Sequence, residues 1–253
     1  MPLLSDPLFY AAAIPAVILV GLAKGGFATG LAMLGVPLMS LVVSPIQAAG
    51  IMLPILCAMD AVAVVSYRGI FHRPSVAVLL PGAVVGIALG WATAAWVDES
   101  WVRLIVGLVT VFFVLDYWTG GAARPAKKQN ASKGIFWGMV AGFTSFVSHA
   151  GGPPAQMYLL PQKFGPVLLS GTIVITFAVM NLVKLVPYFL LGQFDRANLF
   201  TSAALLPLAP LATYAGVRLV KLVSQELFYR ITYVGVFLVA VKLIWDGIAG
   251  LLA

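Results

Sequence analysis

Residues 148–160 read SHAGGPPAQMYLL, and this stretch decides the architecture expected of the chain. Gly151 and Gly152, followed by Pro153 and Pro154, favour the end of one helix and the start of another. Glycine costs backbone entropy inside a helix, and proline lacks the amide hydrogen that a helix interior needs. The flanking residues are apolar enough for a membrane interior, where irregular backbone survives only if protein or a water-filled cavity satisfies its hydrogen bonds. The stretch therefore predicts a broken helix beside a cavity.

The composition places the whole chain in a membrane. Of its 253 residues, 62% are hydrophobic and 9% are charged, whereas soluble domains carry about 25% charged and about 45–50% apolar residues. A mean hydropathy of +1.04 leaves no room for a sizeable water-soluble domain. Apolar runs of about 20 residues recur, as membrane helices require. We therefore expect an all-α, polytopic membrane protein.

Ten apolar segments can be marked along the chain. A bilayer core of about 30 Å needs about 20 helical residues. By this measure the fourth, eighth, ninth and tenth segments are long enough to span with some tilt, whereas the sixth and seventh are short. The segments are 7–23, 27–43, 47–67, 75–97, 101–118, 133–147, 150–162, 167–191, 197–220 and 227–250.

A polar stretch divides the chain near its midpoint. Residues 120–133 are rich in glycine, alanine and lysine and indicate a cytoplasmic linker between two membrane domains. The expected domains are an N-terminal repeat, 1–119, and a C-terminal repeat, 134–253.

The two halves resemble each other in sequence. Residues 50–62, GIMLPILCAMDAV, can be laid on residues 171–183, GTIVITFAVMNLV, which pairs Asp60 with Asn181. Other short matches follow in the same order and at a near-constant offset. Each match is weak by itself, but together they indicate an internal repeat.

The repeats are expected to have inverted topology. The turn FHRP at 71–74 and its partner FDRA at 194–197 fall on opposite sides of the membrane when the segments alternate. The first half also has a glycine-rich interruption, AKGGFATGLAMLGVP at 23–37, that corresponds to the interruption at 148–160. Inverted repeats with interrupted segments at matched positions are typical of secondary transporters that bind substrate near the midplane.

The distribution of Lys and Arg predicts the orientation. Cytoplasmic loops carry an excess of both residues, and alternation places Arg103 and Arg196 outside the cell, together with both termini. The net charge of +7 then reflects this loop asymmetry and not a nucleic-acid partner. The nine loop-flanking basic residues expected inside are Arg68, Arg73, Arg124, Lys127, Lys128, Lys133, Lys163, Arg218 and Lys221.

Broken helices provide the chemistry of an anion site. A new helix N-terminus has free N–H groups and the positive end of the helix dipole, so residues 151–153 are candidate ligands. Gly25 and Gly26 are the corresponding candidates in the first half, next to Lys24. Two alternatives stay open. The glycines could serve only close helix packing, and Lys24 could extend its ammonium to the interface.

Ionisable residues inside apolar segments supply further candidates. Asn181 and Lys184 lie one helical turn apart, and Phe177 and Tyr188 extend the same stripe. Intramembrane charges are costly and usually face the bundle interior, so Lys184 could act as the counter-charge of an anion. The alternative is a structural ion pair between Lys184 and Asp60.

The residues before the two glycines are polar. His149 changes charge near neutral pH and is, with Asp60, a candidate for proton coupling; its alternative role is to satisfy a carbonyl of the broken helix. Ser145 and Ser148 could offer hydroxyls to a ligand or bond back to their own helix. Adjacent helical residues project about 100° apart, which argues against a Ser148–His149 hydrolase. No metal-ligand spacing and no pair of facing catalytic carboxylates is present, so we expect no enzyme, metal or cofactor.

These motifs resemble those of the TauE/SafE sulfite exporter family, also called the four-toluene-sulfonate-uptake (TSUP) permeases. The likeness rests on GFTSFVSHAGGPPAQMYLLPQKFG (142–165) and GTIVITFAVMNLVKLVPYFLLGQ (171–193), with a looser match at GLAKGGFATGLAMLGVPLMS (21–40). It covers nearly the whole chain and implies a multi-pass protein of the bacterial inner membrane that moves sulfur-containing oxyanions, often outward. The motif residues carried over from the family are Gly151, Gly152, Pro153, Pro154 and Tyr158.

The expected function is therefore export of sulfite or a small organosulfonate such as sulfoacetate by alternating access. Transport of another small anion, such as a carboxylate, thiosulfate or an inorganic oxyanion, stays open, and so does an anion channel.

Overall fold

The computed structural model describes residues 6–27, 35–191 and 196–252, and in these ranges all regular structure is helical. This confirms the expected all-α class. The α-helices are α1 (Pro7–Lys24), α2 (Gly35–Met39), α3 (Pro45–Ser66), α4 (Arg73–Thr93), α5 (Glu99–Trp118), α6 (Ala131–Ser148), α7 (Gly152–Leu159), α8 (Pro166–Leu190), α9 (Arg196–Leu205), α10 (Leu208–Leu222) and α11 (Gln225–Leu252). Short 3₁₀ turns lie at Gly121–Ala123 and Leu160–Gln162.

Six of these helices are long and apolar enough to cross a membrane, which makes the protein a multi-pass membrane protein. They are α1, α3 from residue 47 onward, α4, α5, α8 and α11. Several begin at a polar cap: the side chain of Asp6 accepts from Leu8 N at 2.9 Å at the start of α1, and that of Asp98 accepts from Ser100 N at 2.7 Å at the start of α5. Such caps satisfy amides that have no partner within the helix.

The ninth apolar segment is not one continuous helix. Residues 197–220 were expected to span as a single rod, but α9 and α10 meet at a bend of 48°. Pro207 lies at the junction. Because proline cannot donate to the helical ladder and clashes with the preceding turn, it breaks the rod there.

Helices of the two halves pair in an exchanged pattern. α4 of the first half packs on α6 of the second, and α10 of the second packs on α1 of the first. α3 packs on α8, and α5 packs on α11. This is the pairing expected of two repeats in which α1 corresponds to α6 and α4 to α10. The inverted orientation of the repeats and the domain bounds stay predictions, although α6 already begins at Ala131.

Close backbone contact holds the exchanged helices together. A Cβ atom added to Gly142 of α6 would lie 2.1 Å from the carbonyl oxygen of Ala83 in α4. In the other pair, a Cβ on Gly216 of α10 would lie 2.3 Å from the carbonyl oxygen of Leu22 in α1. Small residues at membrane helix contacts allow this approach.

The break predicted at 148–160 is present. α6 ends at Ser148 and α7 begins at Gly152. With eight residues, α7 is about 12 Å long at 1.5 Å per residue and is too short to cross the bilayer. In the first half α1 ends at Lys24 and α2 begins at Gly35. Residues 28–34 of the first-half motif and 192–195, which include part of the FDRA turn, lie outside the described residues.

Candidate functional site

A small cavity lies beside the break between α6 and α7. Its volume is about 80 Å³, which is room for a few water-sized groups when one water needs about 10–15 Å³ on the same measure. Drug-sized ligands occupy cavities of about 300–1,000 Å³, so this one suits an ion or a very small molecule. Its lining comprises Ala23, Lys24, Val36, Met52, Leu56, Ser145, His149, Gly152, Gln156, Ile173, Val174, Phe177, Asn181 and Lys184. We call it the central cavity.

The backbone at the break is fixed by Thr144 and by an unusual conformation of His149. His149 adopts the left-handed region with φ 53° and ends α6. The amide of Ala150 donates to the Thr144 carbonyl at 3.0 Å, and the Thr144 hydroxyl donates to the Ala150 carbonyl at 3.1 Å. Together these bonds satisfy polar backbone groups that the break would otherwise leave unpaired in the membrane.

Three residues from different helices form one buried polar chain. Lys24 Nζ donates to Asp60 Oδ1 at 2.7 Å, and Asn181 Nδ2 donates to Asp60 Oδ2 at 2.6 Å. The Lys24 ammonium also lies 5.7 Å from the ring centre of Phe177, within cation–π range. Lys24 therefore turns inward and does not extend its ammonium to the interface. Asp60 and Asn181, which the repeat alignment pairs, touch directly.

Lys184 is buried, and both hydrogen-bond acceptors of its amine within the described residues belong to the neutral residue Ser145. Its side chain is 2% exposed, and Nζ donates to Ser145 Oγ at 3.1 Å and to the Ser145 carbonyl at 3.5 Å. The alternative of an Asp60–Lys184 ion pair is not what the described residues form, because both Asp60 oxygens bond other groups. Among these charged side chains, the two lysines outnumber the one carboxylate. With both lysines protonated, the central cavity has one positive charge more than its carboxylate balances.

Gln156 of α7 is a further candidate that the sequence reasoning missed. Its side chain is 1% exposed, lines the central cavity, and its Oε1 has no hydrogen-bond partner among the described residues. A buried amide oxygen without a partner costs free energy, and the two ends of an amide can exchange by rotation, so either the oxygen or the NH₂ group of Gln156 can face a ligand. Its position two residues after PP, on a short helix facing the break, was the available signal.

Backbone amides contribute less at the start of α7 than the sequence suggested. Pro153 and Pro154 have no amide hydrogen, and Ala155 N donates to the Gly151 carbonyl at 3.3 Å. Gly152 is the residue of this turn that lines the central cavity. Side chains therefore supply most of the polar surface of the cavity, with the α7 dipole adding to its positive potential.

A larger cavity lies on the other side of His149. This vestibule has a volume of about 600 Å³ and is lined by Ser148, Tyr188, Glu99 and Lys242 among others. His149 lines both cavities, and its Nε2 is 2.8 Å from the Tyr188 hydroxyl. The vestibule ion pairs, Arg103 with Glu99 and Lys242 with Asp246, each lie within one helix. The His149–Tyr188 contact thus lies between the central cavity and the vestibule.

Several predicted residues lie outside the described lining of the central cavity. A Cβ on Gly25 would meet the Thr213 carbonyl oxygen at 2.3 Å, and the Gly25 carbonyl accepts from Tyr67 at 2.6 Å. Gly26 has φ +98° and packs against Ser170. These contacts fit the packing role that the sequence left open for the first-half glycines.

The remaining predicted residues, at the break or along α7, are also absent from the described lining of the central cavity. A Cβ on Gly151 would lie 2.6 Å from Ser145 Cβ, and Pro153 is buried. Ser148 Oγ bonds back to the Thr144 carbonyl at 3.2 Å. The Tyr158 hydroxyl donates to the Asn130 carbonyl at 3.2 Å, at the far end of α7. As ligands, these residues stay predictions.

Fold and cavity together define a polytopic helical membrane protein with a small internal site at a broken helix, lined by Lys24 and Lys184. The sequence matches the family described as Sulfite exporter TauE/SafE over residues 13–243, so the chain belongs to this family of membrane anion exporters, which are transporters and not enzymes. Neither the curated proteins nor the solved structures contain a match to the chain.

Proposed function

We propose that the protein exports sulfite or a small organosulfonate such as sulfoacetate across the bacterial inner membrane. The observation that carries the proposal is Lys184. Lys184 is 2% exposed on the wall of the central cavity, and within the described residues its amine bonds only the hydroxyl and carbonyl of Ser145, so as an ammonium it lacks an ion-pair partner there. A buried charge without a partner is expensive, and a bound oxyanion supplies the partner.

The other walls of the cavity support a small oxyanion with at most a short carbon chain. Gln156 and Ser145 can hydrogen-bond oxyanion oxygens, and the Gly152 amide lies at the positive end of α7. Met52 and Ile173 line the cavity too, with Phe177, and they suit the methylene group of a sulfonate. A volume of about 80 Å³ limits the chain to a few atoms.

We further propose alternating access coupled to protons. Protonation of Asp60 would release Lys24 from its ion pair and provide a second cation for the anion. His149, at the boundary between the central cavity and the vestibule, is the second proposed proton-carrying group. One half would rock against the other across the α4–α6 and α1–α10 contacts.

Efflux of labelled sulfite from proteoliposomes tests the role of Lys184. Lys184→Ala removes one charge-assisted contact, worth about 1.5–3 kcal/mol, so we expect KM to rise roughly 10-fold to 100-fold. Lys221→Ala is the matched control, since Lys221 is exposed at the end of α10. Equal KM values for Lys184→Ala and the unmodified protein would contradict the proposal.

Competition and counterflow separate the remaining alternatives. Unlabelled sulfite and sulfoacetate should inhibit efflux more strongly than acetate, thiosulfate or phosphate, and the reverse order would assign the site to another anion. A transporter accelerates labelled uptake when unlabelled substrate is inside, because the loaded carrier returns faster. A channel shows no such acceleration.

The proposed orientation has both termini in the periplasm. It follows from the excess of Lys and Arg in the loops on one side. An alkaline phosphatase fused after Ala253 should be active, since that enzyme matures only outside the cytoplasm; an inactive fusion with normal expression would reverse the orientation.

A further inference from the structure

A third cavity lies beside the basic linker, toward the C-terminal end of α7. Its volume is about 640 Å³, and the linker after α5, the start of α6 and the turn after α7 enclose it. We call it the basic-side pocket. Its basic residues are Arg124, Lys127, Lys128, Lys133 and Lys163, and its aromatic residues are Phe113, Tyr117, Phe136, Trp137, Tyr158 and Tyr233.

The linker that forms one wall of this pocket is fastened in place. Lys163 Nζ donates to the carbonyls of Ala122 at 2.7 Å and Arg124 at 2.5 Å. The amide of Lys127 donates to the Pro161 carbonyl at 2.9 Å. The Tyr158 hydroxyl donates to the carbonyl of Asn130, the cap of α6. The wall is therefore preformed, which lowers the entropic cost of binding a ligand.

The basic-side pocket has more basic residues than acidic residues to pair with them. Arg124 forms a two-pronged ion pair with Asp116, at 2.7 and 3.0 Å, and Asp116 is the acidic residue of the described lining. Lys127, Lys128 and Lys133 are exposed and form no ion pair within the described residues. Three ammonium groups around one pocket favour a ligand with strong negative charge, such as a phosphate.

Exposed apolar and aromatic side chains next to these lysines are typical of residues at a membrane interface. The rings of Tyr117 and Tyr233 stack with centres 3.5 Å apart at the pocket wall. Trp118, Ile135 and Phe136 are 46%, 48% and 53% exposed around the same helix ends. Tryptophan and tyrosine concentrate at headgroup depth, and the exposed apolar side chains can contact acyl chains.

We infer that the basic-side pocket binds the phosphate headgroup of an anionic phospholipid from the adjacent leaflet. Lys127, Lys128 and Lys133 contact the phosphate, while the acyl chains lie along the apolar surface next to Trp118 and Phe136. A free phosphate shares the charge of the headgroup but gains nothing from that surface. Contact with the apolar surface therefore distinguishes a bound lipid from a bound soluble anion.

Binding to the delipidated full chain in neutral detergent tests the inference. The probes are short-chain phosphatidylglycerol, phosphatidylcholine of the same chain length, glycerol 3-phosphate and inorganic phosphate, and bound species are counted by native mass spectrometry. We expect saturable phosphatidylglycerol binding at least about 10-fold tighter than that of the other probes. Each nearby lysine contributes about 1 kcal/mol to such attraction, so Lys127→Ala/Lys128→Ala/Lys133→Ala should weaken it roughly 100-fold.

The matched control removes three basic residues expected on the same side but outside the pocket: Arg68→Ala/Arg218→Ala/Lys221→Ala. These residues are exposed, and their removal should change phosphatidylglycerol affinity less than about 3-fold, because the specific headgroup contacts remain. Equal losses in the two triple variants would show non-specific attraction and overturn the inference. Equal affinity for phosphatidylglycerol and inorganic phosphate would assign the pocket to a soluble anion and overturn it as well.

Discussion

Lys184 and Gln156 are two buried polar side chains in one cavity that differ in how many hydrogen-bond partners they have. Lys184 bonds the hydroxyl and carbonyl of Ser145, whereas the Gln156 side-chain oxygen has no partner among the described residues. A fold selected for stability alone would avoid both, because each leaves polar capacity unused in a membrane interior. A ligand that offers anionic oxygens relieves both costs at once.

Gln156→Leu should separate ligand binding from stability. The substitution replaces an amide whose oxygen is unpartnered by an apolar group of similar size, so we expect the thermal unfolding midpoint in detergent to stay the same or rise. KM for sulfite should rise roughly 10-fold, as loss of one hydrogen bond to a charged group predicts.

Gln162 provides the contrasting variant, since it is also buried but both ends of its side-chain amide form hydrogen bonds. Its Oε1 accepts from Ser75 at 3.1 Å, and its Nε2 donates to the Tyr158 carbonyl at 3.0 Å. Gln162→Leu should lower the unfolding midpoint and leave KM unchanged. If Gln156→Leu behaves like Gln162→Leu, Gln156 is structural.

The Lys24–Asp60 pair should show strong coupling in a double-mutant cycle. Lys24→Ala or Asp60→Ala alone leaves a buried charge without its partner, which costs about 3–5 kcal/mol in known cases. The double variant removes both charges, and we expect it to be more stable than at least one single variant. Thermal unfolding of the four proteins measures the coupling, and strictly additive effects would show that the pair contributes nothing specific.

At the scale of elements, the contact between α4 and α6 depends on the absence of side chains. A Cβ on Gly142 would overlap the Ala83 carbonyl oxygen at 2.1 Å, and the overlapped atom belongs to the backbone. The clash cannot be relieved by a rotamer change, so the helices themselves would have to separate.

Gly142→Ala should therefore destabilise the protein, with a lower unfolding midpoint and slower efflux. Gly235→Ala is the control: Gly235 lies inside α11, and a Cβ there meets no atom within 4 Å. Alanine favours a helix over glycine by about 1 kcal/mol, so the control should be neutral or slightly more stable. The same loss in both variants would mean that helix propensity, and not backbone contact, is decisive.

For the whole molecule, the contact between His149 and Tyr188 separates two cavities of unequal size. The central cavity measures about 80 Å³ and the vestibule about 600 Å³. His149 and Val36 line both cavities, and a boundary made of few side chains suits a transporter that must open toward one face while the rest of the bundle stays packed.

Tyr188→Phe should make the central cavity more accessible from the vestibule. A cysteine in place of Ile173 reports on this cavity, with the chain's one native cysteine replaced by Cys57→Ser. A membrane-impermeant thiol reagent added on the vestibule side should label it several-fold faster in Tyr188→Phe, and Tyr214→Phe, on the exposed face of α10, should have no effect. Unchanged labelling in Tyr188→Phe would mean that the barrier lies elsewhere.

Much of the architecture followed from local chemistry alone. Runs of apolar residues have one stable state in lipid, which is helical, but the glycine–proline stretch at 151–154 cannot continue α6 and instead begins a new helix at Gly152. The break at 148–160 could therefore be predicted, as could the inward position of Lys184. The bend between α9 and α10 was missed because Pro207 lies in a segment whose mean hydropathy is that of a single membrane-spanning helix.

The site required tertiary structure because its residues meet across the bundle. Apolarity, charge and helix-breaking residues in the sequence determined an all-α membrane protein with an interruption near its middle, since those properties act over a few residues of one chain segment. Only the packed structure decided that Asp60 bonds Lys24 and Asn181, that Lys184 bonds Ser145, and that Gln156 faces the cavity. Those choices depend on which helix lies opposite and at what rotation, and many distant contacts fix that rotation jointly.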